Sequence, residues 1–115
     1  MTITRQNAGP RMSAAVIHNG TVYLAGQVSA EPSASTKGQA ENVLKKIDGL
    51  LAAAGTSKSK LLSATIYLSN IANFDEMNSA WDAWVEAGNT PARATVETRV
   101  ANPKYLVEIS VIAAV

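Results

Sequence analysis

Chemistry in this sequence concentrates where an arginine follows a proline, in Pro91-Ala92-Arg93-Ala94-Thr95-Val96-Glu97. Proline lacks an N–H and is tolerated at the entry to a strand, so the pattern predicts a strand from Ala92 to Val100 that begins at Pro91. Period-two alternation puts Arg93, Thr95, Glu97 and Arg99 on one face and Ala92, Ala94, Val96, Thr98 and Val100 on the other, mainly apolar one. A guanidinium on so stiff an element can clamp a carboxylate through two parallel N–H···O bonds, because its planar fork matches the two oxygens. The ordinary alternative is a solvated arginine, or one paired with a neighbouring acid.

Other reactive side chains are scarce. Cysteine is absent and histidine occurs once in 115 residues, which excludes a disulfide framework, a thiolate nucleophile and a thiolate metal site. His18 stands beside a turn, away from other ligands, and reads as a surface residue, so no metal is expected. Glu97 and Glu108 read as ion-pair or exposed-face acids rather than as a base. The net charge of +1 is spread evenly and indicates neither nucleic acid nor an anionic membrane as partner. Lys45-Lys46 is too short a basic cluster to change that.

The elements that must hold these residues follow from periodicity. A short strand is expected over Thr2 to Arg5, a break at Gly9-Pro10, and a hairpin of Ala14 to Ile17 and Thr21 to Ala25 around Asn19-Gly20, which suits a type I′ turn. Gly26-Gln27 ends the return strand and a polar connection runs from Val28 to Ser35. Ala40, Val43, Leu44, Ile47, Leu50, Leu51 and Ala54 recur at helical spacing before Gly55, predicting a helix over Thr36 to Ala54. A half-buried strand is expected over Leu61 to Ser69, with Leu62, Ala64, Ile66 and Leu68 inward. Asn73 and Glu76 suggest a capping box for a second helix, Phe74 to Ala87, whose Trp81 and Trp84 read as core packing. The last strand is expected over Tyr105 to Ala114.

The resulting order, βββαβαββ, predicts an α+β domain spanning 1–115 with a mixed six-stranded sheet and both helices on one face. The other face is left bare, and burial against further copies is the simplest cover. Residues 1–7 lack the apolar run of a signal peptide and no later run matches a membrane span, so a soluble, cytoplasmic protein is expected.

Several stretches together resemble the Rid (reactive intermediate deaminase, YjgF-type) family. They are Leu24-Ala25-Gly26-Gln27-Val28, Gln39 opening the first helix, Ala53-Ala54-Gly55 closing it, Asn73-Phe74 followed by Met77-Asn78, Pro91 to Glu97, and Val107-Glu108-Ile109. The match covers nearly the whole chain in order, and the proline-x-arginine entry and the Gly-Gln pair are its specific parts. The resemblance implies a chorismate-mutase-like fold and homotrimers with a site in each intersubunit cleft. It also implies hydrolysis of reactive 2-imino or 2-enamino acids to 2-keto acids and ammonia, without metal or organic cofactor.

Residue by residue, the resemblance makes Arg93 the binder of a small-molecule carboxylate and places Thr95 at the substrate's imine end, with Asn78 and Ala25 also lining the site. Ser110 falls where the family's water-holding glutamate is expected, Arg11 or Met12 where a tyrosine closes the site, and Ala25 where the family has Ser or Thr. Clamping the carboxylate would orient an electrophilic C2 for attack by a held water, a task of positioning more than of strong base catalysis. The departures favour a divergent branch. They also keep open a trimeric module that binds a small carboxylate without turnover, while endoribonuclease activity, ascribed to some relatives, fits the even charge least.

Overall fold

The computed structural model describes residues 2–115. Seven strands, β1 (Thr4–Gln6), β2 (Ala15–His18), β3 (Thr21–Leu24), β4 (Gln27–Val28), β5 (Leu61–Leu68), β6 (Ala92–Glu97) and β7 (Val107–Ala114), form one sheet with α1 (Thr36–Ala53) and α2 (Phe74–Trp84). The spatial order is β1-β2-β3-β7-β5-β6, with β4 also on β7. Only β5 and β6, joined through α2, run parallel, and every other pairing is antiparallel. The expected α+β architecture with helices on one face is therefore present, with one strand more than predicted.

Local signals act where they stand in the chain. Asn19 and Gly20 adopt φ of 52° and 74°, the left-handed pair that a type I′ hairpin requires. Gly55, at φ 84°, follows α1 in a Schellman arrangement, in which Thr56 N–H donates to Leu51 O at 2.9 Å and Gly55 N–H to Ala52 O at 3.0 Å. Ser35 opens the same helix by accepting from Gly38 N–H.

One core fills the space between helices and sheet. Val43, Ile47 and Leu51 of α1, Met77 of α2, Ile66 and Leu68 of β5 and Val107, Ile109 and Ala113 of β7 are all fully buried. At roughly 1.5–3 kcal/mol for each large apolar side chain, this packing, not intrinsic propensity, keeps an 11-residue α2 helical.

Five local expectations need correction. The stretch read as the end of a strand and a loop contains β4, which shares β7 with β3. Tyr23 pairs with Ile112 and Gln27 with Ile109, so four steps on one side face three on the other, a bulge at Ala25-Gly26. In β5 a register shift between Leu61 and Ser63 buries Leu61 and leaves Leu62 50 % exposed, opposite to the predicted alternation. No capping box forms, because a 3₁₀ turn over Ile71–Asn73 runs straight into α2 and already engages its first N–H groups, while the Glu76 carboxylate accepts from Lys37 N–H at 2.8 Å. Helix α2 stops at Trp84, whose carbonyl receives Lys58 Nζ at 2.6 Å, and Gly88 sits in the turn beyond. Finally, β6 ends at Glu97 and β7 begins at Val107, each shorter than its alternation suggested.

Candidate functional site

Which face of β6 carries Arg93 follows from its partner strand. Arg93 stands opposite Ala64 and Thr95 opposite Ile66, and both β5 residues are buried under the helices. The alternation was legible but its sense is reversed, since Arg93 and Thr95 turn toward α2 while Ala92, Ala94 and Val96 lie on the bare face, Val96 being 43 % exposed. The crossover through α2 lays that helix along the edge strand and roofs the arginine.

Three residues of α2 hold the guanidinium. Its Nη1 donates to Asn78 Oδ1 at 2.8 Å, and its carbon lies 5.2 Å from the Trp81 ring centroid and 5.8 Å from that of Phe74, within cation–π range. Trp81 is therefore both a core residue, 5 % exposed, and a platform for the cation. Asn78 fits the expected site because i and i+3 or i+4 positions share a face, which aligns Phe74, Asn78 and Trp81 over β6. Thr95 Oγ1, two residues on, is buried without a hydrogen-bond partner, a donor and acceptor left over beside the clamp.

The other expected residues lie elsewhere in the chain. Ser110 pairs with Thr65 on the bare face of β7, opposite to the face of Arg93 and with β5 between them. Ala25 belongs to the bulge beside β7, where its N–H donates to Ala14 O at 2.9 Å. Arg11 and Met12 are exposed in the turn between β1 and β2, closed by Gly9 N–H to Met12 O at 2.8 Å. That turn and β6 occupy opposite edges of the sheet, about 20 Å apart at roughly 4.8 Å per strand. A single chain thus brings together Arg93, Thr95 and Asn78, and separately sets Ser110 on β7 and Ala25 in the bulge beside that strand.

Glu108 belongs to the second group and was passed over as a surface acid. Its side chain shares the bare face with Ser110 and packs over Gly26, where a Cβ would collide with its carboxylate oxygen and lie 2.9 Å from its carboxyl carbon. The signal was the Gly-Gln pair itself, since a bulged strand with glycine at its corner admits a side chain from the neighbouring strand. Glu97, by contrast, accepts from Ile71 N–H at 3.0 Å and anchors the entry to α2. Among the described residues no group of three or more His, Asp or Glu could hold a metal ion, and no helix is long and apolar enough to cross a membrane.

Comparison with known proteins adds relatives to this geometry. A family model described as "Endoribonuclease L-PSP" matches residues 2–115. The chain is 48 % identical, over 115 residues and the whole of each chain, to the RutC family protein YoaB of Escherichia coli. It is 29 % identical over 107 residues, 88 % of this chain and 77 % of the other, to the 2-iminobutanoate/2-iminopropanoate deaminase of Rattus norvegicus. Among solved structures, NMB1025 of Neisseria meningitidis, a member of the YjgF protein family, superposes with a TM-score of 0.96 at 44 % identity, covering 99 % of this chain and 95 % of that one.

Proposed function

From the premise that this chain belongs to the Rid family, also called YjgF or RutC, we propose that it hydrolyses reactive 2-imino or 2-enamino acids to 2-keto acids and ammonia without a cofactor. The observation that carries the reading is the half-buried Arg93, fixed by Asn78 at 2.8 Å and by two aromatic rings. With Nη1 engaged, the Nε and Nη2 edge forms a fork for a carboxylate, held before the substrate arrives. The name of the rat relative supports the same substrate class.

In the proposed reaction Arg93 takes the carboxylate and sets the planar C2=N group against the strand at Thr95. A water adds to C2 as a carboxylate accepts one of its protons and the imine nitrogen is protonated, giving a carbinolamine; that amine then takes a second proton while the new hydroxyl gives up its own, and the C–N bond breaks to release ammonia and leave the keto group. Glu108 is the acid suited to take that proton, and Ser110, two positions along the same face, can hold the water. Replacing Glu108 by Gln keeps the packing over Gly26 and removes the base, so kcat should fall about tenfold or more, less than the 10²–10⁴ of demanding proton transfers because the imine is already reactive. Ser110→Ala should cost less. Steady-state rates on one imino acid decide between them, and a larger loss for Ser110→Ala would reverse the roles.

Because Arg93 and Glu108 point to opposite faces of one sheet, the proposed site closes only between copies, with Arg93 of one chain facing Glu108 and Ser110 of the next. The bare face, with Tyr23 47 % and Val96 43 % exposed, supplies apolar surface for such a contact, and a homotrimer is the assembly we propose. Sedimentation equilibrium at micromolar concentration should give three times the 12.0 kDa chain mass; a stable monomer would remove the shared site.

The deciding experiment measures keto acid and ammonia released from imino acids that an amino-acid oxidase generates in situ, for wild type and Arg93→Ala. Saturable binding of 2-keto acids with no acceleration of hydrolysis would instead favour the carboxylate-binding module. RNA cleavage is the weakest reading, because a net charge of +1 gives little counterion-release drive toward phosphates.

A further inference from the structure

One hollow of the chain is lined by none of Arg93, Thr95 and Asn78. It lies where the parallel β5–β6 pair ends, has a volume of about 320 Å³, and is lined by Ser69, Arg99, Val100, Asn102, Pro103 and Tyr105. We propose that it is a second small-molecule site, for a monocarboxylate with a flat apolar body. The size is at the lower end of ligand pockets, enough for a single ring with a short acidic arm.

The lining divides by chemistry. Val100, Pro103 and the Tyr105 ring offer apolar surface, while the Arg99 guanidinium, the Ser69 hydroxyl, the Tyr105 phenol and the Asn102 amide are the polar groups. Asn102 Oδ1 already accepts from Lys104 N–H at 2.9 Å, which fixes the amide's orientation and leaves its Nδ2–H₂ group to donate. Arg99 brings the only formal charge to the lining, and that charge is positive, which selects an anion over a neutral ligand.

Part of the wall is tied down by hydrogen bonds. Gln39, fully buried, donates from Nε2 to Lys104 O at 3.0 Å and accepts at Oε1 from Leu106 N–H at 2.9 Å. Ser69 N–H donates to Leu106 O at 3.1 Å and Tyr105 N–H to Asn102 O at 3.0 Å. A nine-residue connection between β6 and β7 would otherwise be free to collapse. Here it is tied to the end of β5 and to α1, so little ordering entropy opposes binding. Arg99 lies six positions beyond Arg93, up to about 20 Å along the chain at ~3.3 Å per residue, and the two sites share no residue.

The test is a titration of the assembled, ¹⁵N-labelled protein with phenylacetate, read by TROSY spectra, with phenylacetamide as the neutral control. Saturable shifts are expected in the amides of Ser69, Arg99, Val100, Asn102 and Tyr105, retained in Arg93→Ala. In Arg99→Gln the dissociation constant should rise about tenfold or more, in keeping with loss of hydrogen bonds from a charged donor. Val100→Phe, which fills the hollow and leaves the charge, should weaken binding comparably. Shifts that centre on Asn78 and Trp81 and vanish in Arg93→Ala would overturn the proposal, as would equal affinity for phenylacetamide, an unchanged constant in both variants, or no saturation. This inference rests on a different lining from the proposed hydrolysis, and because Arg93→Ala keeps this site while slowing that hydrolysis, each reading can fail alone.

Discussion

Replacing Arg93 by Ala should lower kcat/KM for imino-acid hydrolysis by about ten- to a hundredfold. A charge-assisted hydrogen bond contributes roughly 1.5–3 kcal/mol, and about 1.4 kcal/mol corresponds to a factor of ten. The loss should appear in KM and kcat together, since the same contact binds the carboxylate and sets the angle at C2. Lysine should not restore activity. A point charge lacks the Nε/Nη2 fork, and the ammonium cannot serve Asn78 Oδ1 while also spanning two carboxylate oxygens. Activity within twofold of wild type in Arg93→Ala, measured on a protein with unchanged far-ultraviolet circular dichroism, would remove the arginine from the site.

Gln39→Met should be the most destabilising single change of a polar residue. The amide is fully buried and joins three segments, its Nε2 lying 3.0 Å from Pro32 O, 3.2 Å from Ala34 O and 3.0 Å from Lys104 O, with Oε1 accepting from Leu106 N–H. Methionine has similar volume and satisfies none of these groups. At about 1–3 kcal/mol for each buried group left without a partner, with some carbonyls regaining water, a loss of about 3–5 kcal/mol is expected. This is a large share of the roughly 5–15 kcal/mol that holds a domain together. The midpoint of thermal unfolding, compared at equal protein concentration, should drop by about 10–25 °C. A drop of under 3 °C would mean that water replaces the amide fully and that the network contributes nothing.

Legibility in the sequence tracked how local each signal was. The Asn19-Gly20 turn, the Gly55 stop, the α1 stripe and the alternation of β7 need only a few neighbouring residues, and each appears where expected. Strand β4 escaped notice because two residues carry no periodicity, and its existence depends on β7, some eighty positions away. Periodicity also cannot say which side of a sheet a helix will cover. That is why the Arg93 face read as the outer one, although it lies beneath α2. The strand entry after Pro91 brought Arg93 to attention and the resemblance brought Asn78, and the geometry places the two 2.8 Å apart. Trp81 was read as core alone, because nothing in a helical stripe reveals a cation on the opposing strand. Glu108 was passed over for the same kind of reason, since its relation to Gly26 exists only across the β4–β7 pairing.

The centre of the sheet has a consequence for how the protein is made. Strand β7 pairs with β3, β4 and β5, and all three leave the ribosome before it. Until residues 107–114 emerge, the nascent chain carries two unconnected half-sheets, one of β1, β2 and β3 and one of β5 and β6, each with a raw edge and an unfilled apolar side. Such edges invite pairing with other chains. The interval between synthesis of β5 and arrival of β7 is therefore the period in which this chain is most exposed to aggregation and most in need of a chaperone.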